Sequence, residues 1–132
     1  MIPPTSVMRV VRPTNNLQAI GKMYAEGLGF EILSQFEGHD GFDGIVLGHK
    51  NHPYHLEFTH QRGTSVGRAP TQDNLIAFYI PDSNEWEAAC SRIQAAGFNQ
   101  VPSYNPYWDV AGKTYEDLDG YRIVLQNREW SR

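Results

Sequence analysis

The sequence predicts an α+β fold made of two βαβββ modules, and three observations lead there. The chain has 132 residues, a length that suits one domain with a core of its own. A unit of strand, proline, helix cap, helix, glycine and phenylalanine occurs twice. Pro13 to Gly29 and Pro81 to Gly97 each span sixteen positions, and Phe30 and Phe98 follow the two glycines. Each unit is then followed by further strand-like runs separated by turn residues. Each half therefore has a sheet with one face to cover, and the two halves are expected to share a core.

In the first module, residues 6–60, Ser6 to Arg12 is rich in Val and reads as a strand stopped by Pro13. Thr14, Asn15 and Asn16 offer caps. Leu17, Ile20, Tyr24 and Leu28 recur at helical spacing until Gly29. Phe30 to Phe36, Phe42 to Leu47 and Tyr54 to Thr59 read as strands, with turns at residues 38–41 and 48–53. Residues 61–74 are polar, carry Gly63, Gly67 and Pro70, and read as a linker.

The second module, residues 75–127, repeats the order. Leu75 to Ile80 is a strand stopped by Pro81, and Asp82, Ser83 and Asn84 offer caps. Trp86, Ala89, Cys90, Ile93 and Ala96 fall on one helical face that Gly97 ends. Phe98 to Tyr104 is a strand that Pro102 weakens or confines to an edge. Asn105 to Asp109 reads as a loop, Val110 to Glu116 as a strand, residues 117–120 as a turn and Tyr121 to Gln126 as the last strand. Leu17, Ile20 and Tyr24 of the first helix, and Trp86, Cys90 and Ile93 of the second, should face the core.

Composition excludes several classes. Cys90 is the single cysteine, so no intrachain disulfide forms, which fits a reducing compartment. Its place on an apolar helix face suits a small buried hydrophobe rather than a nucleophile. The net charge of -4 comes from mixed signs with no basic run, which argues against a nucleic-acid partner. No apolar run is long enough to span a membrane. Pro3 and Pro4 stand where a signal peptide would have its apolar core, so a cytoplasmic location is expected. There is no G-x-S-x-G, P-loop or G-x-G-x-x-G, and nothing points to hydrolase, kinase or dinucleotide chemistry.

Three stretches carry a family resemblance. They are Asn16-Leu17 through Tyr24 to Gly27-Leu28-Gly29-Phe30, then His55-Leu56-Glu57-Phe58-Thr59, then Tyr115-Glu116-Asp117-Leu118-Asp119-Gly120-Tyr121-Arg122. In this order the chain resembles the vicinal-oxygen-chelate superfamily, which includes the glyoxalase, bleomycin-resistance and extradiol-dioxygenase proteins, and it is most similar to the bleomycin-resistance-like group. Leu118 replaces the proline usual in the last motif. The resemblance implies a single domain over residues 1–132, with curved mixed sheets around a cup, helices outside, and a homodimer.

In metal-dependent members, four His, Glu or Gln side chains hold a divalent ion, one from the first and one from the last strand of each module. Here the resemblance places Glu57 on the fourth strand and Val124 on the last. It places Arg9 or, two residues away, Val7 on the first strand, and Leu75 or Ala77 on the fifth. Only Glu57 is a ligand, since Arg keeps its proton and has no acceptor. The resemblance thus implies no metal and no cofactor. A carboxylate in the cup needs a partner, and Arg9 is expected to pair with Glu57 in place of the metal. The alternative has Arg9 in solvent and Glu57 paired elsewhere.

Other candidates surround this pair. His39, His49, His52 and His55 precede Glu57, and His60 follows it. His55 and Glu57 alternate on one strand and share a face, so His55 and Glu57 are the candidate catalytic residues if there is a reaction. His39, His49 and His52 lie in turns and lack the spacing of a known metal motif. Tyr104, Tyr107 and Trp108 make the densest aromatic loop, suited either to stacking on a ligand or to an interface. Arg122 has the parity of Val124 and would add a cation for an anionic ligand, or else snorkel to water. The expected function is metal-independent binding of a small molecule in an aromatic-lined cup by Arg9, His55, Glu57, Tyr104, Tyr107, Trp108 and Arg122. The alternatives are a lyase, isomerase or dioxygenase with an atypical site at His55 and Glu57, and a structural or regulatory protein without a ligand.

Overall fold

The computed structural model of the chain describes residues 1–131. It contains two compact units: Met1–Ala25 with Gly29–Val66, and Glu26–Leu28 with the residues from Gly67 on. Each is a mixed four-stranded sheet, so the α+β class and its βαβββ order are observed. Among the described residues, no helix is long and apolar enough to cross a membrane.

The first unit runs β1 (Met8–Pro13), α1 (Leu17–Leu28), β2 (Glu31–His39), β3 (Phe42–Gly48) and β4 (Tyr54–Gln61). Its sheet order is β1-β4-β3-β2, with β1 parallel to β4 and the other pairs antiparallel. Pro13 ends β1 from inside the strand, which costs little because β1 is at the sheet edge. The Asn16 side chain accepts a hydrogen bond from the Ala19 N–H and starts α1. Gly29, at φ 69°, ends it in the left-handed conformation that glycine adopts without strain. Ile20 and Tyr24 are fully buried and Leu17 is half-buried. The Tyr24 ring lies 4.8 Å from that of Phe58. Ile45, Leu47, Leu56 and Phe58 form the sheet's side of this core, since Ile45 pairs with Phe58 and Leu47 with Leu56. The opposite face of the sheet is thereby left to Arg9, Val11, His55 and Glu57.

The second unit runs β5 (Leu75–Tyr79), α2 (Ser83–Ala95), β6 (Asn99–Val101), α3 (Tyr107–Val110), β7 (Gly112–Glu116) and β8 (Arg122–Gln126). The sheet order β5-β8-β7-β6 repeats that of the first unit, again with its one parallel pair between first and last strands. Asp82 caps α2 by accepting from the Glu85 N–H. Cys90 and Ile93 are buried, and the half-buried Trp86 donates its indole N–H to the Leu125 carbonyl at 2.8 Å. Burial raises the Cys90 thiol above its ordinary range, and its neighbour Tyr115 is likewise raised by burial.

Strand β2 runs on to His39, which was expected in a turn, and three stretches around Pro102 also differ from expectation. The strand expected over 98–104 is reduced to Asn99–Val101, because Pro102 has no N–H for the ladder. The loop expected at 105–109 contains the one-turn helix α3. Asn105 Oδ1 accepts from the Tyr107 N–H, and the Trp108 and Asp109 N–H groups bond back to the Asn105 and Pro106 carbonyls. As α3 reaches Val110, β7 starts only at Gly112.

Candidate functional site

The site in the first unit starts from strand register. Parallel pairing sets Arg9 opposite His55 and Val11 opposite Glu57, so these side chains share the face turned from α1. Arg9 Nη1 donates to Glu57 Oε1 at 2.8 Å, and Arg9 Nε donates to His55 Nδ1 at 3.2 Å. One guanidinium thus holds both neighbours on the adjacent strand. A guanidinium can only donate, so His55 Nδ1 must accept and the ring hydrogen of the neutral imidazole sits on Nε2. The Glu57 side chain is 13% exposed and that of Arg9 46%. The expected pair is present, but it is half open to solvent rather than sealed.

Glu57 is the position that the resemblance makes a metal ligand, and here its Oε1 is taken up by a guanidinium. Among the described residues, no three His, Cys, Asp or Glu side chains stand so as to hold a metal ion. On the last strand, the count by strand pairs departs from the count by motif. Val11, two residues before Pro13, pairs with Glu57. Tyr79, two before Pro81, pairs with Gln126. By that measure Gln126 rather than Val124 is the counterpart of Glu57. Gln126 and Thr114 are fully buried on one face with Val124, and among the described residues neither the amide nor the hydroxyl has a hydrogen-bond partner. Sequence reasoning missed both, since an enclosed Gln in an apolar strand has no local signature.

The other histidines divide. His60 Nδ1 lies 3.0 Å from the Thr14 carbonyl, a structural contact. His39 lies in the open beside Asp40. His49 and His52 flank a turn in which the His52 N–H bonds to the His49 carbonyl at 3.3 Å and Asn51 takes φ 66°. The His49 ring lies 5.2 Å from that of His52 and edge-on to Phe30 at 5.3 Å. With Lys50, His55, Val7 and Leu33 this turn lines an open cavity of about 490 Å³. The turn positions read as merely solvated in the sequence therefore border the same strand end as His55.

In the second unit, Tyr107 and Trp108 make edge contact at 4.9 Å, and the Tyr107 hydroxyl lies 3.5 Å from that of Tyr79. That hydrogen bond, then burial, raises the Tyr79 phenol above its ordinary value. Tyr104 is 66% exposed. Arg122 is the residue read either as a second cation for a ligand or as one that snorkels to water. It shares the face of Val124 as its parity required, but it is buried and spent. Its Nε donates to Glu116 Oε2 at 3.0 Å and Nη1 to the Pro102 carbonyl at 3.3 Å. The cause is register: Glu116 stands directly opposite Arg122 across β7 and β8.

Comparison with known proteins agrees with the topology. Residues 8–59 match the model of the YycE-like N-terminal domain, and residues 73–127 that of the YycE-like C-terminal domain. The chain is 42% identical over 120 residues to YycE of Bacillus subtilis strain 168, an uncharacterised protein, covering 91% of this chain and 86% of that one. The crystal structure of a Bacillus subtilis YycE protein of unknown function matches with a TM-score of 0.88 at 39% identity, over 96% and 93% of the two chains. Leishmania major glyoxalase I matches with a TM-score of 0.68 at 19% identity, over 91% and 84%. TnmS3, an antibiotic-binding protein from Streptomyces sp. CB03234, matches with 0.63 at 21%, over 96% and 98%. At such identities the last two show a shared fold alone.

Proposed function

The chain belongs to the YycE-like family of the vicinal-oxygen-chelate superfamily, and on that premise we propose that it is a metal-independent small-molecule-binding protein. The observation that carries this reading is the double donation from Arg9 to Glu57 and His55. A carboxylate whose charge is already met by a guanidinium attracts a divalent ion less strongly than a free one. The proposed ligand contacts are Arg9, His55 and Glu57 on the sheet of the first unit, and Tyr104, Tyr107 and Trp108 are proposed separately as an aromatic contact surface of the second. TnmS3, which shares the fold, is an antibiotic-binding protein, and this supports a binding role in kind. A homodimer in the cytoplasm is part of the proposal and rests on the superfamily resemblance and the single free cysteine.

The test is a thermal-shift screen of small molecules run in parallel with EDTA and with added Mn²⁺, Ni²⁺ or Zn²⁺. A ligand raises Tm by mass action whenever it prefers the folded state. Ligands that stabilise equally in both arms are the expected result. Ligands that act only with the divalent ion overturn the reading. One feature favours a second reading, an enzyme at His55 and Glu57. The His55 imidazole is oriented by Arg9 with its proton on Nε2, the kind of positioning that acid–base chemistry needs. Turnover of a bound ligand, lost in His55→Gln with binding kept, would select that reading.

A further inference from the structure

We infer that the open cavity beside His55 is a binding site for a small organic anion, a carboxylate carrying an apolar group. This rests on the ligand-binding reading above and extends its site from the shared residue His55 into the neighbouring turn. The cavity, about 490 Å³, is large enough for a compact ligand. Its apolar wall is Val7 and Leu33, and Val7 is 60% exposed.

The polar wall has one character. Lys50 brings an ammonium, Asn51 an amide, and His49, His52 and His55 bring imidazoles. Each of these can donate a hydrogen bond, and none is an acid. Glu57 shares a strand face with His55, yet its charge is met by Arg9 at 2.8 Å. Among the described residues Lys50 forms no ion pair, so its positive charge is not cancelled inside the site. The Arg9 contact fixes the His55 ring as an Nε2–H donor. The turn is held by its own His52-to-His49 hydrogen bond and by the packing of His49 on Phe30. A donor set of this kind, held in place around one uncompensated cation and facing an apolar wall, recognises an anion with a hydrophobic body. A cation finds no acid there, and a neutral molecule leaves the charge unused.

The probe is benzoate, with benzamide as its neutral isostere, each titrated into the full chain and followed by backbone amide shifts. Benzoate should shift residues 49–55 and bind about fivefold more tightly than benzamide, the value of one solvent-exposed charge contact. Lys50→Gln should erase that preference, so that the two probes bind alike. Equal binding of the two probes, a preference that survives Lys50→Gln, or an absence of shifts at residues 49–55 would each overturn the inference. If benzamide but not benzoate binds around Arg9, His55 and Glu57, the binding-protein reading stands and only the anion preference falls.

Discussion

Replacing Arg9 by Ala should destabilise the chain more than replacing Arg9 and Glu57 together. The magnitude follows from the contact. Charge centres about 4 Å apart attract by about 4 kcal/mol at an effective dielectric of 20 and by about 1 kcal/mol in water. The Arg9 side chain is 46% exposed and that of Glu57 13%, so solvent screens one partner well and the other poorly. The coupling should therefore be about 1–2 kcal/mol, above exposed pairs and below the roughly 3–5 kcal/mol for breaking a sealed pair. Arg9→Ala also leaves His55 Nδ1 without its donor, and should cost about 2 kcal/mol. Glu57→Gln keeps an acceptor for Arg9 and should cost about 1 kcal/mol. The double change, with no stranded carboxylate, should fall between them. Urea unfolding followed by circular dichroism at neutral pH gives all three values. Additive single changes, with a coupling below about 0.3 kcal/mol, would refute the claim that Arg9 is the partner that stabilises Glu57.

Stability should also decline in alkali. Burial raises both Cys90 and Tyr115 above their ordinary values of 9.0 and 10.0. The stability tied to their neutral forms is complete below those unfolded values and is lost as pH rises from about 9 toward the folded values. Melting curves across that range should show the loss, and Tyr115→Phe should reduce it. Asp43 runs the other way. The Arg62 guanidinium, then the Gly38 N–H, hold its carboxyl below 3.8, so its small contribution is present above that pH and lost as pH falls through the folded value. Acid titration should show this loss shrinking in Arg62→Ala. Gly44 lies beneath the Phe36 ring, where an added Cβ would collide with the ring atoms. Gly44→Ala should therefore cost about 1–3 kcal/mol in urea unfolding, and a neutral result would contradict that packing. The 15.0 kDa chain should scatter light as a dimer, and a monomer at all working concentrations would remove the homodimer from the proposal.

Much of the fold was legible because it is written twice. Gly29 at φ 69° and Gly97 at φ 98° both adopt the conformation that ends a helix, and their equal distance from Pro13 and Pro81 reveals the repeat. The Arg9–Glu57 pair followed from the resemblance, which set both residues in one cup, and parity kept that placement through a shift of two residues. What parity could not supply was cross-strand register. Arg122 shares a face with Val124, yet only pairing with Glu116 shows that its charge is already used. The helix α3 was invisible to periodicity, because four residues make a single turn and Asn105 starts it by a local side-chain bond. The cavity at residues 49–55 was missed for a related reason. Turn residues have no pattern that says which of them gather around a strand end.

The claim that a guanidinium stands in for the superfamily's metal is tested most directly by elemental analysis of protein purified without chelator and then equilibrated with Mn²⁺, Ni²⁺ and Zn²⁺ in turn. With Glu57 Oε1 bonded to Arg9, only trace divalent ion should remain after gel filtration, in the native chain and in Glu57→Gln alike. Close to one ion per chain, lost in Glu57→Gln, would contradict it.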